Sequence, residues 1–295
     1  MPYATVNGGT LYYTSTGEGV PIVFIHPPLL TSAVFAYQQR LLASNHRVIT
    51  FDIRGHGRSA PSDQPLTYRL IVEDIRQLMA HLEISKVVVA GYSTGGSIAL
   101  EALLTHPELF VGGILISAMS ETSDIYLRSR IRLAIGLTIW RPLQRLLRLG
   151  MTWGNADNRT TFHNLRLTTR TSSQRSIRQL FAYSLHYRCT ERLPEIQAPV
   201  LLMYGGKDRS FKRYRHILRH GLPNNQTVIL HSEKHQLPTK AGLQTNDVIR
   251  RWMARLVSKN GLALSSAVQG LEYPAKALVA AQDIPGAENE NRASP

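Results

Sequence analysis

The chemistry in this chain concentrates in VVVAGYSTGGSIAL, residues 87 to 100, where a serine sits in the string Gly91-Tyr92-Ser93-Thr94-Gly95. A serine hydroxyl is a weak nucleophile near pH 7, so a serine that attacks an acyl carbon needs a base within hydrogen-bond reach and a third group to fix that base. The string G-x-S-x-G is short and common, and its surroundings give it meaning. Val87, Val88 and Val89 read as a strand buried on both faces, as in a parallel sheet covered by helices. A helical pattern starts directly after the serine. Glycines two residues to either side leave room for a sharp strand-to-helix turn with Ser93 in a strained backbone conformation. The opening turn of that helix brings a partial positive charge and free N–H groups to the serine, that of Thr94 being the nearest. A matching acid lies in PVLLMYGGKDRS, residues 199 to 210, a second apolar strand that ends in Gly205-Gly206-Lys207-Asp208. The carboxyl ends of parallel strands share one edge of a sheet, so Asp208 faces the same edge as Ser93. Glu121 and Asp124, just past the preceding strand, are the competing acids.

The elements that must position these groups follow from periodicity. Tyr3 to Val6 and Leu11 to Thr14 flank Asn7-Gly8-Gly9, a hairpin signal. VPIVFIH (20–26), RVITFDI (47–53), GGILISAMS (112–120) and TVIL (227–230) read as further strands. Helices are expected near 32–43, after Thr67 as N-cap with Leu70, Ile71, Ile75, Leu78 and Leu82 at helical spacing, from the serine to about His106, and over about 243–257. Asp52 followed by Arg54-Gly55-His56-Gly57-Arg58-Ser59 reads as a hydrogen-bonded turn that supports the site, in preference to a phosphate cradle or a catalytic His56.

A chain of 295 residues with 43% hydrophobic content buries one large core, which predicts one domain with an insertion. The start, MPYATVNGGT, has neither a basic nor an apolar leader region, so no secretory signal is expected. Cys189 is the single cysteine, which excludes an internal disulfide and fits a reducing cytoplasm. The net charge is +14. Residues 121–198 hold thirteen arginines and five acids, a local excess of +8, with arginines and apolar residues at helical spacing and no β-rich run. They read as a helical insertion in which Pro142 starts a helix and residues 150–157 break one. Of Tyr126, Trp140, Trp153, Phe162, Phe181 and Tyr183, two or three at most are expected to line its pocket, the others being core. The arginines read as a solvated cationic face, ahead of contact with an anionic membrane surface or acidic substrate.

The His26 loop, DIRGHGRS (52–59), the serine turn, GGKD (205–208) and His235 together resemble the α/β-hydrolase family over about residues 3–258. The resemblance implies the α/β-hydrolase fold, with a mostly parallel central sheet, helices on both faces and a helical cap inserted between strands. The core would be 1–120 and 199–258 and the cap 121–198; residues 259–295, weakly periodic, read as a poorly ordered tail. The family's chain order of Ser, Asp, His selects His235, in the loop beyond TVIL, over His231 at the strand's own end. Ser93, Asp208 and His235 then form the expected triad. Serine at 93 argues against the haloalkane dehalogenases and epoxide hydrolases of the family, which carry aspartate there. The expected protein is a cytoplasmic serine hydrolase that cleaves a small or medium ester or related acyl compound, with a small-molecule partner, no nucleic acid, no metal and no cofactor. An acyltransferase or perhydrolase would use the same triad, and a hydrolase-like binding or regulatory protein would use little of it.

One segment departs from the family. Relatives commonly carry His-Gly-x after the third strand, x donating its N–H to the oxyanion alongside the residue after the nucleophile. Here the run is His26-Pro27-Pro28-Leu29, and neither proline has an N–H. The expected donors are therefore Thr94 and Leu29, with Tyr92, Ser32 or Thr31 as side-chain substitutes.

Overall fold

The computed structural model describes residues 2–260 and 287–289. Its strands are β1 (Tyr3–Val6), β2 (Gly9–Thr16), β3 (Val20–Ile25), β4 (His46–Phe51), β5 (Val87–Tyr92), β6 (Phe110–Ile116), β7 (Val200–Gly205), β8 (Asn225–Leu230) and β9 (Ala287–Asn289). They form one sheet in the order β1-β2-β4-β3-β5-β6-β7-β8-β9. The β1–β2 hairpin joins β4 antiparallel, the strands from β4 to β8 run parallel, and β9 pairs antiparallel with β8. Every residue of β3, β5 and β7 is buried. Alternate side chains enter different layers: Val23, Ile25, Val87 and Val89 join one core, while Ile22, Phe24, Val88 and Ala90 join the other. The period-two pleat thus explains why these strands are apolar at every position.

The helices outside the insertion are α1 (Ala36–Leu42), α2 (Tyr68–His81), α3 (Thr94–Thr105), then α8 (Lys212–Gly221), α9 (Leu237–Lys240) and α10 (Gly242–Asn260). Ile71, Ile75 and Leu78 of α2 and Ile98 and Leu103 of α3 cover the first face, and Leu42 of α1 with Ile249, Trp252 and Met253 of α10 cover the second. Thr67 caps α2, its hydroxyl accepting the Leu70 N–H at 3.1 Å. Between β6 and β7 lie α4 (Ile125–Leu137), α5 (Arg141–Asn155), α6 (Arg159–Thr168) and α7 (Gln174–His186). Pro142 sits in the first turn of α5 as expected, but the break expected over 150–157 is confined to 156–158, because α5 continues through Gly150 and Gly154 to Asn155. Both glycines have open space where a Cβ would stand, so nothing there forces the chain to turn. Most of the tail expected over 259–295 lies outside the described residues. Among the described residues no helix is long and apolar enough to cross a membrane.

The turn after β4 has the supporting role read from its sequence. The Asp52 carboxylate accepts the N–H of Ser32 at 2.8 Å and of Arg58 at 3.0 Å, tying two loops at the carboxyl edge of the sheet. Arg54 makes a buried ion pair with Asp74 of α2, which also accepts from Asn7 Nδ2 in the hairpin.

Candidate active site

Strand ends in register assemble the site. Tyr92 lies level with Ile116, Ile116 with Met203, and Gly205 with Leu230, so the loops after β5, β6, β7 and β8 leave the sheet along one edge. At the β5 edge, Ser93 adopts φ 54° and ψ −119°, a region that L residues occupy only when their surroundings hold them there. Those surroundings are tight. A Cβ at Gly91 would collide with the Gly95 carbonyl, one at Gly95 with the Ile25 carbonyl, and one at Gly96 with Ala118. The glycines let α3 start against β3 and β6, and the serine is pinned between them.

Asp208 and His235 arrive from β7 and β8. Gly205 and Gly206 leave no room for side chains, because the backbone of residues 231–234 crosses directly over them. The Lys207 N–H donates to Glu233 O at 2.8 Å, and the Gly206 N–H to Leu230 O at 2.9 Å. Clamped this way, His235 Nδ1 lies 2.7 Å from Asp208 Oδ2 and His235 Nε2 lies 3.1 Å from Ser93 Oγ. With Nδ1 donating to the carboxylate, Nε2 is left as the acceptor facing the serine hydroxyl. Phe211 and Tyr92 pack against the imidazole as tilted rings, with centroids 4.3 and 5.4 Å away.

Ser117 is a site residue that the sequence reading missed. It follows β6, has φ 47°, is fully buried, and donates its hydroxyl to the His235 carbonyl at 3.0 Å. No sequence signal marks it: the strand expected over 112–120 runs through Ser117, whereas β6 ends at Ile116. The competing acids serve other contacts. Asp124 caps α4 by accepting the Leu127 N–H at 2.7 Å and also accepts from the Tyr214 hydroxyl, and Glu121 accepts from Thr190 and faces Arg188. His231 is exposed, its backbone lying against Gly206.

The loop after β3 is organised by His26. Its Nδ1 lies 2.9 Å from its neighbour's carbonyl, Pro27 O, and its Nε2 accepts the Ile53 N–H at 2.9 Å, which requires the neutral ring protonated on Nδ1. Burial lowers its pKa to about 4, which keeps the ring in that form. Pro28 and Leu29 occupy the turn that follows, and Leu29 has φ 70°. Pro at the first central position and positive φ at the second are the marks of a type II turn, here with leucine where glycine is usual. The Leu29 side chain is fully buried in the core. Among the described residues no hydrogen bond takes up the Leu29 N–H. The Thr94 N–H, in the first turn of α3, likewise has no partner within the helix. Two of the side-chain donors considered are engaged: Tyr92 donates to Asn155 Oδ1 at 2.9 Å and Thr31 to Thr168 at 2.8 Å. For Ser32 the backbone N–H goes to Asp52, which leaves its hydroxyl as a side-chain alternative.

A cavity of about 320 Å³ stands over Ser93. Its floor is Pro27, Pro28, Ser93, Thr94, Asp208 and His235, and its walls are mostly aliphatic, with Leu127, Ile131 and Ala134 of α4 and Leu147 and Met151 of α5. Of the six aromatics considered for this wall, only Phe181 lines it. Tyr126, Trp140 and Trp153 are exposed, Phe162 packs edge-on against Trp153, and Tyr183 packs on Tyr68. The reason is helix phase: Leu127, Ile131 and Ala134 recur every three or four residues and take the inward face of α4, leaving Tyr126 outward. Arg130 at the rim adds one positive charge. Cys189 is buried away from this cavity, and burial pushes its thiol up to about 12, so it is an inert packing residue. No cluster of three or more His, Cys, Asp or Glu with metal-binding geometry occurs among the described residues.

Comparison with known proteins gives the same architecture. Over 110 residues the chain is 36% identical to a protein of Leptolyngbya boryana named "Probable proline iminopeptidase", a stretch that spans 36% of this chain and only 34% of that protein. Over 255 residues, 84% of this chain and 95% of the relative, it is 22% identical to (E)-2-((N-methylformamido)methylene)succinate hydrolase of Acinetobacter baylyi. The solved esterase of Exiguobacterium antarcticum superposes with a TM-score of 0.75 at 21% identity, covering 85% of this chain and 98% of that one. The profile of the alpha/beta hydrolase family matches residues 22–259, from the strand before the His26 loop to the last helix. The chain therefore belongs to the alpha/beta hydrolase family.

Proposed function

We propose that the protein is a serine hydrolase that cleaves a small or medium ester, or a related acyl compound, through an acyl-serine intermediate. The observation that carries this reading is the continuous chain from Asp208 Oδ2 through His235 to Ser93 Oγ, with separations of 2.7 and 3.1 Å, at the floor of a largely aliphatic cavity. In this reading His235 Nε2 takes the Ser93 proton as Oγ attacks the acyl carbon, and Asp208 holds the ring and stabilises its positive charge. The oxyanion lies between the unused N–H groups of Thr94 and Leu29, where preorganised donors lower the barrier most. The histidine returns its proton to the leaving group; water, deprotonated by the same nitrogen, then releases the acid. The cavity volume, at the low end of ligand pockets, favours short and medium acyl chains, and Arg130 favours a substrate with an anionic or strongly polar end.

A fluorophosphonate probe tests this directly, since it phosphonylates an activated serine. Native protein should label and Ser93→Ala should not. Equal labelling of both, or none of the native protein, would remove the proposal. A panel of p-nitrophenyl esters of rising chain length then measures the pocket.

A further inference from the structure

Helix α5 turns Leu147 and Met151 inward to the cavity, yet it also carries apolar side chains on its outer face. Its polar Gln144, Thr152 and Asn155 are buried, while Leu146, Leu149 and Trp153 are exposed, Leu146 at 64% and Trp153 at 70%. Exposed apolar residues continue on the neighbouring surface at Ile125, Tyr126 and Leu133 of α4 and at Trp140 between the helices. Eight of the eleven strongly exposed large hydrophobic side chains among the described residues fall between 125 and 153. Single exposed hydrophobics need no explanation, but a concentration of them marks an interaction site.

The same stretch is cationic. Residues 125–156 contain six arginines and no aspartate or glutamate. Arg145 and Arg148 of α5 meet Arg166 of α6 and Arg170 in a cleft of about 560 Å³ that also contains Leu146 and Leu149. Among the described residues none of these four has a carboxylate partner; Arg148 Nη1 donates to the Thr169 and Arg170 carbonyls. Four unneutralised guanidinium groups around one cleft repel one another, and an anion entering it relieves that repulsion with planar, bidentate donors suited to phosphate.

We propose that the outer face of α4 and α5 docks on an anionic phospholipid bilayer, with Trp140, Leu146, Leu149 and Trp153 entering the interface and lipid phosphates taken by the arginine cleft. Tryptophan and leucine beside arginine is the composition of helices that lie in a membrane interface, and the charge matches the negative leaflet surface. A second copy of the chain fits less well, because its own six arginines would face these. The docked face also carries the cavity mouth: Leu133 and Arg130, both exposed on α4, line the space above Ser93. The proposal concerns binding and stands independently of the proposed chemistry.

The test is co-sedimentation of the full-length protein with vesicles of phosphatidylcholine alone or mixed with phosphatidylglycerol. Partitioning into the anionic vesicles should exceed that into neutral ones by tenfold or more at low salt and fade as salt rises past the point where screening acts within about 10 Å. The emission of Trp140 and Trp153 should shift to the blue. Arg145→Glu with Arg166→Glu, and separately Leu146→Ser with Trp153→Ala, should each lower binding by roughly tenfold; circular dichroism checks that these exposed substitutions leave the fold intact. Four results would overturn the proposal: equal or absent binding to both vesicle types, an apolar variant that binds as well as the native protein, stabilisation by inorganic phosphate without vesicle binding, or apolar substitutions that convert a dimer into a monomer.

Discussion

Three buried histidines should make the fold acid-sensitive. Burial holds His26 and His46 down to about 4 and His56 to about 3, against 6.5 for a free imidazole. His26 cannot take a second proton without losing the bond from Ile53, and among the described residues the buried Nε2 of His56 has no hydrogen-bond partner. Because the folded pKa lies below the unfolded one, the unfolded chain binds protons first. Stability is therefore complete above about pH 6.5 and falls as pH drops towards 4. Each unit is worth about 1.4 kcal/mol, so at pH 5 each histidine costs about 2 kcal/mol and the three together about 6. That is comparable with the whole stability of an ordinary domain, 5 to 15 kcal/mol. Urea unfolding at pH 7.5, 6 and 5 measures it. His56→Gln, which removes one titrating ring, should reduce the loss between pH 7.5 and pH 5 by about 2 kcal/mol, whatever its effect at pH 7.5. A midpoint that stays flat down to pH 5, or an unchanged pH dependence in the variant, would mean that these buried rings do not destabilise the fold in acid.

Other expectations concern the site itself. Ser93→Ala or His235→Ala should lower ester turnover by up to roughly a million-fold, and Asp208→Asn by less; if Asp208→Asn were neutral while Glu121→Gln was not, the acid would be misassigned. Pro28→Gly loosens the turn that carries Leu29, so turnover should fall by up to about a hundredfold, the scale of one lost oxyanion donor, with the unfolding midpoint little changed; a rise would mean that the prolines obstruct the oxyanion site. Gly95→Ala places a methyl group on the Ile25 carbonyl and should cost at least about 1 to 3 kcal/mol by thermal unfolding, together with most of the activity; native-like stability would mean that the turn is not sterically determined.

The parts of the fold with strong local signals were legible in the sequence. Valine runs mark buried strands because both faces are apolar, and the glycines around Ser93 mark the turn because nothing else fits there. Asp208 was expected at the serine's edge because it follows a buried strand whose carboxyl end lies there, whereas His235 was selected over His231 by the chain order of the family it resembles. Contacts between elements distant in the chain left less trace. Ser117 holds the His235 carbonyl across 118 residues, and no local pattern announces a serine in that role. The cap aromatics were misjudged for a related reason: aromatic content suggests a pocket wall, but helix phase decides which side chains face inward, and in α4 the aliphatic residues do. In α5 the phase that turns Leu147 and Met151 inward also buries Gln144, Thr152 and Asn155 and leaves Leu146, Leu149 and Trp153 outside, an arrangement that composition alone conceals.

Whether Ser93 is the nucleophile can be read from a stopped-flow measurement with a p-nitrophenyl ester, followed by acid quenching and peptide mass analysis. A nucleophilic Ser93 gives a burst of p-nitrophenol approaching one equivalent per protein wherever deacylation is slower than acylation, and an acyl group on the peptide that carries Ser93. Turnover that persists in Ser93→Ala, or an acyl group found on another residue, would contradict it.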